Sequence, residues 1–130
     1  MNSKTKYWLN LCDDDLLTAG VLLNSKRYLH MAFFCHMIVE KALKAVITEK
    51  TNDIPPKIHD LQKLAVYGGI FDGLSEDQLA LIDKLAPFQI EARYPTYKEK
   101  IAAALTKGYC MDILSKTEEF LCWIKSQLEK

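Results

Sequence analysis

Between Arg27 and Glu49 the chain is apolar on nearly every side of a helix. Met31, Phe33, Phe34, Met37, Ile38, Val39, Leu43, Val46 and Ile47 fall at all angles around a 3.6-residue turn. Such a helix must be enclosed, either at the centre of a bundle or against a second subunit. Its polar residues are confined. His36, Glu40 and Lys44 follow one another at spacings of four and so line a single stripe.

The rest of the chain supplies helices to pack around it. Leu9, Cys12, Leu16, Ala19 and Leu23 alternate spacings of three and four, which predicts a first helix from about Lys4 to Leu23. Asp13, Asp14 and Asp15 lie within it. Consecutive helical positions diverge by about 100°, so the three read as a solvated face rather than a metal cluster. Asn24-Ser25 marks a short break. Ile54-Pro55-Pro56 fixes a loop over Asn52 to Pro56, because residues before proline avoid helix geometry. A short helix from about His59 to Tyr67 ends at Gly68-Gly69. Ser75 followed by Gln78 fits a capping box, with Leu79, Ile82, Leu85 and Ala86 as the inner face of the helix it opens. Pro87 bends or ends that helix, and Arg93-Tyr94-Pro95 marks a second stop. Cys110, Ile113, Leu114, Thr117, Leu121, Ile124 and Leu128 give a last helix from about Leu105 to Leu128. With no strand pattern and no internal repeat, the expected fold is all-α, an up-down bundle of four to five helices forming one domain over residues 1–130.

Charge narrows the function classes. Seventeen Lys and Arg balance seventeen Asp and Glu, whereas broad nucleic-acid or membrane-surface binders usually lean strongly positive. Arg27 and Arg93 are the only arginines, too few for an extended phosphate-binding surface. The four cysteines, Cys12, Cys35, Cys110 and Cys122, lack the spacing of a zinc site and sit in apolar stretches, as reduced core residues do. The first residues lack the apolar core of a signal peptide, and the run Met31 to Cys35 is far too short to cross a bilayer, so no membrane association and a cytoplasmic location are expected. No glycine-rich phosphate loop, nucleophile elbow or metalloprotease motif is present, and neither a cofactor nor a metal is expected.

Three places carry chemistry. The His36/Glu40/Lys44 stripe reads either as a polar seam between helices or as part of a polar cleft. In Lys57-Ile58-His59-Asp60-Leu61, His59 stands near a helix start that Asp60 favours. The segment acts as a local cap, or His59 supplies an acid, base or ligand contact. In Glu91-Ala92-Arg93-Tyr94-Pro95, the proline turns the chain out of helix just after a guanidinium and a phenol. The arrangement serves either as a salt bridge holding the loop or as a phosphate contact.

Taken together these segments resemble the HEPN family, and within it the branch often paired with a minimal nucleotidyltransferase in toxin–antitoxin modules. Tyr7-Trp8-Leu9 opens the first helix as in that branch. Glu40-Lys41-Ala42-Leu43-Lys44-Ala45 is similar to the family's Glu-Lys-x-Leu-Lys-Ala block. Pro56-Lys57-Ile58-His59-Asp60-Leu61 is similar to its Pro-x-x-His-Asp-Leu segment, and Ala92-Arg93-Tyr94-Pro95 to its Ala-Arg-Tyr-Pro segment. The resemblance implies a dimerising bundle in a toxin–antitoxin or defence context. It also implies a cleft for a nucleotide or RNA phosphate, for which Arg93, Tyr94, His59, Asp60, His36, Glu40 and Lys44 are the candidate residues. Many relatives are metal-independent ribonucleases that place an arginine four to six residues before a histidine. Here the corresponding positions hold Lys98, Glu99 and Lys100 after Arg93, and Ala32, Phe33 and Phe34 after Arg27. The leading expectation is therefore a homodimeric binding module with a nucleotidyltransferase partner and little ribonuclease activity. Its rivals are a ribonuclease toxin using Arg93 with a rearranged partner such as His59, and a structural oligomeric scaffold.

Overall fold

A computed structural model describes residues 1–89 and 103–129. Among these residues the chain is all-helical, with five α-helices: α1 (Ser3–Asn24), α2 (Tyr28–Thr51), α3 (Leu61–Tyr67), α4 (Glu76–Leu85) and α5 (Lys107–Leu128). Two 3₁₀ turns, Phe71–Gly73 and Ala86–Gln89, flank α4. The expected all-α bundle is the one observed.

Local chemistry sets each boundary. Asn2 caps α1 by accepting from the Thr5 amide at 2.8 Å. The turn between α1 and α2 is a Schellman motif with Lys26 in the left-handed region (φ 61°). The Arg27 amide donates to the Leu22 carbonyl at 2.8 Å and the Lys26 amide to the Leu23 carbonyl at 3.0 Å. Gly69 (φ 70°) closes α3 in the same way, and Ser75 with Gln78 forms the expected capping box. Three expectations shift. Asp60 caps α3, so His59 lies in the preceding loop rather than in the helix. The helix before Pro87 stops at Leu85 and continues as a 3₁₀ turn, leaving Ala86 exposed. Thr106 caps α5, which therefore begins at Lys107.

Helix α2 is the axis of the bundle. Fourteen of its residues are buried, Ile38 among them, while Phe33, Phe34 and Met37 stay partly exposed. Its own chain thus encloses most of it, and a partner subunit is not needed to explain its apolarity. Helices α1 and α2 run antiparallel: the Cys12 thiol reaches the Ile38 carbonyl, and Lys4 Nζ reaches the Asn52 carbonyl at 3.0 Å. The acidic run on α1 splits as helix geometry requires. Asp15 pairs with Lys41 on α2 at 2.6 Å, and Asp13 pairs with Lys125 on α5 at 2.7 Å. Cys12, Cys35 and Cys110 are buried, but Cys122 is exposed: it sits about 100° round the helix from the buried Leu121. No helix among the described residues is long and apolar enough to cross a membrane.

Candidate functional site

The polar stripe of α2 meets the loop before α3. One turn separates His36 from Glu40 and another separates Glu40 from Lys44, so all three point to the same side of α2. Glu40 sits at the centre. Its Oε2 accepts from Lys44 Nζ at 3.0 Å, and its Oε1 lies 3.0 Å from His59 Nδ1. The Lys44 ammonium lies over the Trp8 ring, 5.8 Å from its centroid, so α1 closes the far side of the pair. Glu40 and Lys44 are buried, and each is the other's charge partner. A carboxylate flanked by Lys44 places Nδ1–H as the donor of the His59 contact. The outer nitrogen, Nε2, is then left to interact elsewhere.

His59 is half exposed, 52% by its side chain. It borders an open cavity of about 510 Å³ lined by Ile58, His59, Asp60, Leu61, Gln62, Lys63, Ile82, Ala86 and Gln89. Ile58, Leu61, Ile82 and Ala86 are the apolar part of this lining, and His59, Asp60, Gln62, Lys63 and Gln89 are its polar part. Gln62 Nε2 donates to Asp83 Oδ1 at 3.0 Å, which fixes its amide. Asp60 Oδ1 accepts from the Lys63 amide at 3.0 Å, so its carboxylate serves the start of α3.

His36 differs from the others. It is buried at 1% exposure, and neither ring nitrogen makes a hydrogen bond. Its Nδ1 stands 3.7 Å from the same Glu40 oxygen that binds His59. Burial pulls its pKa down from 6.5 to about 4, against the opposing influence of the Glu40 carboxylate. His36 is therefore neutral at pH 7, and its contact with Glu40 is not an ion pair.

The structure thus unites His36, Glu40, Lys44 and His59 and gives Asp60 a capping role beside them. Arg93 and Tyr94 lie outside the described residues, so the expected meeting of Arg93 with His59 does too. The sequence reading missed Trp8 as the cover of Lys44, and it missed Gln62 and Lys63 as cavity-lining residues. Trp8 carried a signal in its place among the first residues of α1. Gln62 and Lys63 carried none, because any exposed helix start would look the same. Among the described residues no group of three His, Cys, Asp or Glu side chains is arranged to hold a metal ion.

Comparison with known proteins agrees with this architecture. The crystal structure of TT1696 from Thermus thermophilus superposes with a TM-score of 0.78, covering 97% of this chain and 98% of that one at 20% identity. The crystal structure of ST0689, an archaeal HEPN homologue, superposes with a TM-score of 0.67, covering 98% of this chain and 99% of that one at 16% identity. At these identities the likeness is one of fold. No curated protein matches the sequence. The HEPN domain model matches residues 5–127. With nearly the whole chain matched, the protein belongs to the HEPN domain family.

Proposed function

We propose that this HEPN protein is a homodimeric binding module for a phosphate-bearing ligand, a nucleotide or a segment of RNA, held at the cavity beside His59. Its protein partner is a nucleotidyltransferase, in a toxin–antitoxin or related defence pair. The observation that carries the reading is the 3.0 Å contact between His59 Nδ1 and Glu40 Oε1 on an imidazole that remains half exposed. A buried carboxylate that fixes one nitrogen orients the other. In the neutral ring, Nε2 offers the cavity a lone pair suited to a ribose hydroxyl. In the protonated ring, it offers an N–H suited to a phosphate oxygen. Lys63 adds a cationic residue to the same lining, and the apolar residues Ile58, Leu61 and Ile82 suit a base.

Binding of a fluorescent RNA oligonucleotide and of ATP to the wild-type protein and to His59→Ala tests the reading. A charge-assisted contact is worth about 1.5–3 kcal/mol, so His59→Ala is expected to weaken binding roughly tenfold or more. Wild-type protein that binds neither probe refutes the reading. Light scattering on the eluted protein is expected to give twice the 14.9 kDa chain mass.

The same contact favours a second reading. An imidazole oriented by a carboxylate is also the arrangement of a general acid–base, which would serve the ribonuclease alternative in which His59 works with Arg93. Cleavage of labelled RNA that disappears in both Arg93→Ala and His59→Ala would select it.

A further inference from the structure

His36 is an anomaly for a core helix. Buried polar groups are normally paired, yet both of its ring nitrogens lack a partner at 1% exposure. Glu40 Oε1 stands 3.7 Å from His36 Nδ1, just beyond hydrogen-bond distance, and that oxygen is already held by His59 at 3.0 Å. The other oxygen, Oε2, is fixed by Lys44 at 3.0 Å. Glu40 is thus anchored through one oxygen, while two imidazoles face the other.

We propose that His36 competes with His59 for Glu40 Oε1, so that the site exchanges between a state with His59 held over the cavity and a resting state in which His36 has taken the carboxylate and His59 is free. Resting on the functional reading above, this assigns regulation to the same site. His36 is a positioning residue within it.

The two competitors are unequal in a way that makes exchange workable. His36 is on α2, enclosed by the bundle and shut off from water. His59 is on the loop between α2 and α3 and is half exposed, so water can satisfy it when it leaves. A small rotation of Glu40 about the end fixed by Lys44 closes the gap to His36 Nδ1. The exchange gives His36 the partner it lacks and leaves no carboxylate oxygen stranded, because one imidazole replaces the other. It needs no charge on His36, since a neutral ring with Nδ1–H is a sufficient donor. The groups facing His36 are the side chains of Glu40, His59 and Lys44, together with the His59 backbone carbonyl. That carbonyl stands close enough to favour the protonated ring but does not complete a hydrogen bond to either ring nitrogen. A ligand that requires the fixed His59 draws the population toward the held state.

The test observes His36 directly in protein labelled with ¹⁵N-histidine. In ligand-free His59→Ala, Glu40 loses its present partner and His36 is expected to take it. The His36 Nδ1 resonance then moves to the hydrogen-bonded, protonated-Nδ1 tautomer, and exchange of that proton with water slows. An unchanged His36 spectrum in His59→Ala overturns the proposal, whether or not any nucleotide binds. In the wild-type background, His36→Leu removes the competitor. The Nδ1–H tautomer of His59 is expected to become fixed and ATP affinity to rise severalfold, while His36→Asn, whose side-chain amide can still donate, is expected to restore wild-type behaviour. Wild-type His59 spectra in His36→Leu also overturn the proposal. A His36 response in His59→Ala without ATP or RNA binding to the wild-type protein leaves the exchange standing and removes the functional reading instead.

Discussion

Glu40 and His59, 19 residues apart in the chain, meet at 3.0 Å because α2 carries the carboxylate to the start of α3 and the loop folds the imidazole back over it. On the other side of Glu40 the partner is Lys44, one turn away on the same helix. The carboxylate therefore joins a fixed cation to a half-exposed ring.

That arrangement separates stability from binding. Glu40→Gln leaves the buried Lys44 ammonium without its counter-charge, and removing one member of a buried pair costs about 3 kcal/mol. His59→Ala removes a half-exposed side chain and is expected to cost less than about 1 kcal/mol. Urea unfolding of the two variants against wild type measures both. Equal losses would show that Glu40 and Lys44 are not the structural half of the site.

Thiol labelling distinguishes the cysteines. Burial pushes the Cys12 and Cys35 thiols up to about 12, and it raises that of Cys110 as well. These thiols are protonated and enclosed, and thiolate is the reactive form. Only Cys122 is exposed. A thiol reagent at pH 8 is expected to modify Cys122 rapidly in the folded protein and all four cysteines in urea. Fast modification of more than one thiol in the folded state contradicts the packing described above.

The start of α1 is tied to the end of α2 through Asn2. Its side chain caps the helix, its amide donates to Glu49 Oε1 at 2.9 Å, and its Nδ2 donates to the Thr48 carbonyl at 3.2 Å. The Asn2 amide, followed by the Thr5 hydroxyl, holds the Glu49 carboxyl below its usual range. Asn2→Ala keeps the backbone contact but loses the cap and the bond to Thr48. A lost cap costs about 1 kcal/mol, and the bond to α2 should bring the total to about 2 kcal/mol, measured as a lowered urea midpoint with an unchanged slope.

Much of the fold was legible because it rests on local chemistry. The apolar crowding of α2, the three-and-four spacing on α1 and α5, and the Ser75/Gln78 cap all act within a turn or two of helix. The stripe of His36, Glu40 and Lys44 was legible for the same reason. What joins the stripe to His59 was not. It depends on the path of the loop through Ile54, Pro55 and Pro56, and no spacing rule relates position 40 to position 59. The cover of Trp8 over Lys44 depends likewise on the register of α1 against α2. Cys122 departs from the expected core position because Leu121 and Trp123 make its neighbourhood apolar in sequence, whereas one residue on a helix is enough to turn a side chain from core to solvent.

Acid stability depends on His36. In the unfolded chain its imidazole takes a proton near pH 6.5, and in the folded chain burial lowers this to about 4. Between those values the unfolded state holds more protons than the folded state, so stability falls as pH falls through the window from 6.5 to 4. Above 6.5 both states are neutral and the contribution is complete; below 4 both are protonated and the loss levels off. The displacement corresponds to roughly 3 kcal/mol. Carboxylates titrate in the lower part of the same range, so wild type alone cannot isolate the effect, and His36→Leu is the reference. Leucine cannot be protonated, and it also removes a buried polar group without a hydrogen-bond partner, so the variant is expected to be about 1 kcal/mol more stable than wild type at pH 8. Its advantage is expected to widen steadily to roughly 4 kcal/mol at pH 4. Urea unfolding at half-unit pH steps gives the difference directly. A constant gap between wild type and His36→Leu across that range would show that burial does not penalise the charged imidazole in the folded protein, contrary to the enclosure described for α2.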